Sequence, residues 1–128
     1  MQKLSVEDLK SMKRSWKNWL NIANTCLRRV QNIHETKENR WDIKQLEETY
    51  NFYVSKIKHI IKSYSILINS KDEELNSGEE LSTNQYFKII KDIEDTIKEI
   101  KKEYNKKSFR KLNNDYIHGF REAEVIRN

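Results

Sequence analysis

The apolar positions of the chain fall into four stripes. The first runs through Leu9, Met12, Trp16, Trp19, Leu20, Ala23, Cys26, Leu27, Val30 and Ile33. Its steps alternate between three and four, so these side chains share one face of a helix. Ser5, with Asp8 three residues on, resembles a capping box with Asp for Glu, and predicts a start near Val6. The pattern fades at residues 34–37. The second stripe is Leu46, Tyr50, Tyr53, Val54, Ile57, Ile60, Ile61, Tyr64, Leu67 and Ile68, with Trp41 and Ile43 in the opening turns. A start near Glu38 or Asn39 gives a helix of about 30 residues, roughly 45 Å long. Two long helices joined by a short turn form an antiparallel hairpin. The third stripe, capped by Ser82 or Thr83, is Tyr86, Phe87, Ile90, Ile93, Ile97, Ile100 and Tyr104. Asn105-Lys106-Lys107 then interrupts it. Asn favours the left-handed conformation that ends helices, and Ser108 can cap a last helix from Phe109 towards Ile126. A single bent helix is the alternative.

These stripes predict an all-α fold. We expect one domain over residues 1–128, an antiparallel bundle of four helices with room for a fifth short one, and a surface loop at 69–81. The absence of proline, with only two glycines, removes the turn residues that strand-rich folds require. A heptad-like register also fits a coiled coil, but the aromatic residues and mixed spacing favour a bundle.

Charge changes the picture modestly. The net charge is +5. Residues 1–69 hold 13 basic and 7 acidic side chains, residues 70–81 hold 1 and 5, and residues 82–128 hold 11 and 8. Two basic helical parts thus flank an acidic loop, which permits nucleic-acid binding. The helix-one set Lys10, Lys13, Arg14, Lys17, Arg28 and Arg29 reads either as a guide for RNA phosphates or as ordinary solvated surface. Trp16 and Trp19 read either as core or as stacking platforms.

Other chemistry is sparse. A single cysteine, Cys26, excludes an internal disulfide, and its place on a stripe predicts a buried thiol. No apolar run approaches the ~20 residues of a membrane span, and residues 1–5 lack a signal-peptide core. A cytoplasmic location is expected. His34 and His59 have no His or Cys at the spacing of a zinc pair, so no metal is expected. No glycine-rich phosphate loop or nucleophile elbow is present, and no cofactor is expected.

The last stretch carries the remaining candidates. On a helical wheel Phe109, Leu112, Tyr116, Gly119, Phe120, Ala123 and Ile126 cluster as a core face. Arg110, Asn114, Ile117, His118, Arg121 and Val125 form a second, mixed face. Solvent has little use for Ile117 and Val125, so they predict an interface, most simply with a second copy. Gly119 costs a helix about 1 kcal/mol relative to Ala, which predicts close approach of another backbone.

Leu112 to Gly119, with His118 near its end, resembles the motif region of HEPN domains. That motif is an arginine, four to six residues and a histidine, often with a polar residue after the arginine, on a late helix of a small bundle. Asn114 and His118 match. Asn113 stands where arginine is expected, Lys111 lies at the far limit of the spacing, and Arg110 lies one residue beyond. The resemblance implies a HEPN-like homodimer with two motifs in one cleft and metal-independent RNA cleavage. The ribose 2′-hydroxyl attacks the adjacent phosphate, His118 acts as general acid or base, and a cation stabilises the phosphate oxygens. The implied catalytic set is His118, Arg110, Asn114, Asn113 and Lys111, with Arg121, Arg28 and Arg29 on RNA and Ile117 and Val125 between copies. Family habits also imply a toxin or antiviral defence setting and a protein partner such as an antitoxin. Phe120 replaces the tyrosine that a partner nucleotidyltransferase modifies in one subgroup, so that regulation is not expected.

Asn113 can hydrogen-bond a phosphate but cannot neutralise it, and losing one such donor costs about 10²–10³ in rate. Three readings stay open: Arg110 or Lys111 takes the role, the domain is a degenerate binding version, or residue 113 is altered. The competing expectation is a non-catalytic helical interaction module, such as a phage- or defence-related binding or inhibitor protein.

Overall fold

The computed structural model describes residues 3–71 and 81–117. They form four α-helices and no strand: α1 Val6–Gln31, α2 Arg40–Lys71, α3 Thr83–Tyr104 and α4 Lys107–Tyr116. The start of α1 follows from its cap. The Ser5 hydroxyl accepts from the Asp8 amide at 3.1 Å, which satisfies one of the amides a helix start leaves without a partner. At α3 the box is complete: Ser82 accepts from the Gln85 amide and the Gln85 side chain accepts from the Ser82 amide. A third box precedes α2. The Thr36 amide donates to Asn39 Oδ1 at 2.7 Å, and the Asn39 amide donates to Thr36 Oγ1 at 3.2 Å.

α2 is the axis of the molecule, and every other helix packs on it. The α1–α2 hairpin is antiparallel, since Lys71 near the end of α2 donates to the carbonyl of Leu4 just before α1. α3 also runs antiparallel to α2, with Lys56 paired to Glu99 at 2.8 Å and His59 to Asp92 at 2.5 Å. α4 continues in the same direction along the other half of α2: Tyr50 meets Asn113, and Asp42 meets Tyr116. Four helices therefore make three rods, with α3 and α4 laid end to end.

The join between α3 and α4 differs from expectation. Asn105 caps α3 with φ −79° and ψ −4°, a right-handed conformation. The break is made by Lys106 at φ −65° and ψ 127°, and α4 starts at Lys107 without a side-chain cap. Ser108 lies inside the helix. The physical reason is Phe109. Its ring is 5% exposed and sits 5.7, 5.6 and 5.7 Å from those of Tyr50, Tyr53 and Tyr104. Docking that ring sets where the helix begins, and the local capping residues follow.

The core lies where the stripes placed it. Leu9, Ala23, Cys26 and Val30 come from α1; Leu46, Tyr50, Tyr53, Ile57, Ile60, Tyr64, Leu67 and Ile68 from α2; and Tyr86, Ile93, Ile100 and Tyr104 from α3. Met12 is exposed, and Trp16 and Trp19 only half-buried, because α3 and α4 pack chiefly on α2 and leave this flank of α1 partly open. No described helix is long and apolar enough to cross a membrane.

Candidate functional site

α4 docks on the first half of α2 through residues one helical turn apart. Phe109, Asn113 and Ile117 succeed one another at steps of four, and all three are buried. Asn113 is 2% exposed, and its Oδ1 accepts a hydrogen bond from the Tyr50 hydroxyl. An amide in this place is satisfied without solvent, as a buried polar group must be. At the end of the helix, the Tyr116 hydroxyl donates to Asp42 Oδ2 at 2.8 Å.

This phase of α4 divides the candidate residues. Asn113 faces the core and cannot reach a phosphate from there. Ile117, 4% exposed, is part of the same core, so it is not free to form an interface between copies. Lys111 and Asn114 are exposed, and Arg110 is half-buried. Arg28 and Arg29 are exposed in the last turn of α1. His118, Arg121 and Val125 lie outside the described residues, as do Gly119, Phe120, Ala123 and Ile126. The expected set is thus split between the core and the surface rather than gathered on one face.

A core polar relay accompanies the buried amide. Cys26 hydrogen-bonds Tyr50, which in turn donates to Asn113. Burial pushes the Cys26 thiol up, against smaller lowering effects of the Tyr50 bond and the Arg29 charge. Burial also raises the Tyr50 phenol far above its ordinary 10, helped by Cys26, Tyr53 and Tyr104. Both groups therefore stay neutral. The thiol is no nucleophile, since reactivity belongs to the thiolate. Tyr116 is likewise raised, first by its hydrogen bond to the Asp42 carboxylate.

One residue went unrecognised in the sequence. Trp41 is 66% exposed in the first turn of α2. It is five residues before Leu46, off the apolar stripe by helical spacing, and that offset is the signal that marks it. Around it in sequence stand Lys37, Arg40 and Lys44, all exposed, with Arg40 paired to Glu35 at 2.8 Å. The Thr36–Asn39 turn joins this region to Arg28 and Arg29. The Tyr116–Asp42 bond brings the end of α4 to it, two residues before His118 in sequence. One end of the bundle therefore combines an exposed indole, several cations and the approach to the histidine.

Small-molecule chemistry has little room near the aromatic core. The crevice between Trp16, Trp19, Ile22 and Tyr53 encloses about 10 Å³, roughly one water's space. Among the described residues no three His, Cys, Asp or Glu side chains gather to hold a metal. Comparison of the chain with protein-family models, with curated proteins and with solved structures gives no match.

Proposed function

We propose that this chain is a HEPN-like RNA-binding protein that engages single-stranded RNA at the end of the bundle carrying Trp41. The observation that carries this reading is a large aromatic ring, 66% exposed, among Lys37, Arg40 and Lys44 and one turn from Arg28 and Arg29. Stacking on such a ring contributes about 1–3 kcal/mol per base and accepts any base. The cations supply the phosphate attraction, which weakens as salt rises. Lys111 and Asn114, exposed on α4, extend the same polar surface.

Cleavage belongs to this proposal only in a restricted form. The burial of Asn113 argues against its serving as the phosphate-stabilising group. In a catalytic version His118 transfers the proton and Lys111 or Arg110 supplies the positive charge. The setting is then a toxin or antiviral defence system, and a homodimer is formed through Val125 rather than Ile117. The burial of Asn113 favours a second reading as well: a non-catalytic helical interaction module that binds a protein partner.

The test titrates fluorescently labelled single-stranded RNA with the wild-type chain and with Trp41→Ala. The expected result is saturable binding that weakens about tenfold in the variant and falls further with added salt. Equal affinity of the two proteins would exclude the Trp41 end. Incubation with RNA in chelator, beside His118→Ala, tests cleavage. Cutting that is lost in the variant supports the catalytic form, and no cutting by the wild type leaves the binding form. Light scattering at high concentration tests the dimer.

A further inference from the structure

At the end of the bundle opposite Trp41, a second constellation has only donors on its walls. Lys3, Ser70, Lys71, Leu81 and Tyr86 line a cavity of about 170 Å³. The Lys3 ammonium lies 5.2 Å from the centre of the Tyr86 ring and the Lys71 ammonium 6.0 Å from it. Two like charges thus share one aromatic face, an arrangement that ring quadrupoles permit but that mutual repulsion opposes. Lys71 is held there by its bond to the Leu4 carbonyl. The Tyr86 hydroxyl accepts from the Leu4 amide at 2.9 Å, so its own proton remains to be donated. Tyr86 is 1% exposed, which makes an unused donor costly. Ser70 spends its proton on the Leu67 carbonyl. Among the described lining there is no carboxylate to balance the two ammonium groups.

We propose that this cavity is a binding site for a phosphoryl anion, held by Lys3, Lys71 and the Tyr86 hydroxyl. The site is separate from the RNA-binding end and does not depend on it. Charge selects the ligand: a phosphate carries about −1.5 to −2 at neutral pH, which matches two ammonium groups better than a single carboxylate does. Size selects it too. The volume falls below the about 300–1,000 Å³ of sites for whole drug-sized ligands, so one anionic group enters and a nucleobase stays outside. Residues 72–80 bring five carboxylates next to Lys71 in sequence. They compete for the same charge, and the expected dissociation constant is on the order of millimolar.

The experiment follows amide and lysine NMR signals of the full chain during titration with sodium phosphate, with acetate at matched ionic strength as the second arm. Saturating shifts at Leu4, Lys71 and Tyr86 with phosphate are expected, with acetate weaker. Lys3→Met, which lies outside every helix, is expected to weaken phosphate about tenfold or more, the effect of losing one charge-assisted bond, with unchanged thermal unfolding. Lys71→Arg, which keeps the charge, is expected to retain binding. A nucleoside monophosphate arm separates the sources: tighter binding than inorganic phosphate identifies a nucleotide phosphate, and equal binding identifies the free ion. Linear, non-saturating shifts, identical shifts in Lys3→Met, or acetate binding as tightly as phosphate would overturn the proposal.

Discussion

Placing arginine at residue 113 tests the geometry of the candidate site most directly. If that position faced a cleft, Asn113→Arg would restore a phosphate-binding cation and raise activity. The structure predicts the reverse. Asn113 is 2% exposed and accepts from the Tyr50 hydroxyl. Removing the acceptor strands a buried hydroxyl, at a cost of about 1–3 kcal/mol. Forcing a longer side chain into the packed contact between α4 and α2 costs about 1–3 kcal/mol more, before any penalty for desolvating the guanidinium. A total of about 3 kcal/mol or more is a large share of the ~5–15 kcal/mol that stabilises a typical domain. Urea unfolding followed by circular dichroism should therefore show a markedly lower midpoint, with no gain in metal-free RNA cleavage. A double-mutant cycle sharpens the point. Tyr50→Phe and Asn113→Ala should each destabilise, with a coupling of about 0.5–3 kcal/mol, while Tyr50→Phe combined with Asn113→Leu should recover much of the loss. An Asn113→Arg protein with an unchanged midpoint and new nuclease activity would refute the reasoning, because α4 would then have to dock in a different phase.

The aromatic cluster makes a second, independent claim: Phe109→Ala should cost about 3–5 kcal/mol, as for a buried ring in contact with three others, and a change below 1 kcal/mol in denaturant unfolding would count against it. Alkaline pH should unfold the protein. Tyr50 and Tyr53 are 0% and 2% exposed and both phenols are raised above 10, chiefly by burial. Their contribution is complete below the ordinary pKa of 10 and is lost as pH rises beyond it. Each forfeits about 1.4 kcal/mol per pH unit, so the pair removes about 5 kcal/mol by roughly pH 12. Helical signal that persists above that pH while tyrosinate absorbance rises would contradict it. The His59–Asp92 pair is half-exposed on both sides, so His59→Gln should shift stability by no more than about 0.5 kcal/mol.

The core was legible for a simple reason. Burial on α1, α2 and α3 repeats at the helical period, so Leu46, Tyr50, Tyr53, Ile57, Ile60 and Tyr64 declared themselves by spacing. The Ser5 and Ser82 caps were legible as well, since a hydroxyl at a helix start acts within four residues. The phase of α4 was not. A helical wheel weighs residues by hydrophobicity, and it turned the core face towards Leu112, Gly119 and Ala123. The docked helix is rotated towards Phe109, Asn113 and Ile117. The reason is a phenol on another helix that accommodates a carboxamide in the interior, which no local pattern records. Ile117 consequently moved from an expected interface to the core.

What the sequence alone determined is an all-helical chain, the existence of its four helices and most of their apolar positions, because backbone hydrogen bonding and the hydrophobic period are local properties. Only tertiary structure decided that α3 and α4 line up as one rod along α2, that Asn113 is interior, and that Trp41 stands exposed among cations at one end. Each of those depends on partners 63 or more residues apart, as in Tyr50–Asn113 and Asp42–Tyr116, or on the absence of any neighbour to cover a ring. Such long-range pairings are chosen by how surfaces fit once the helices exist.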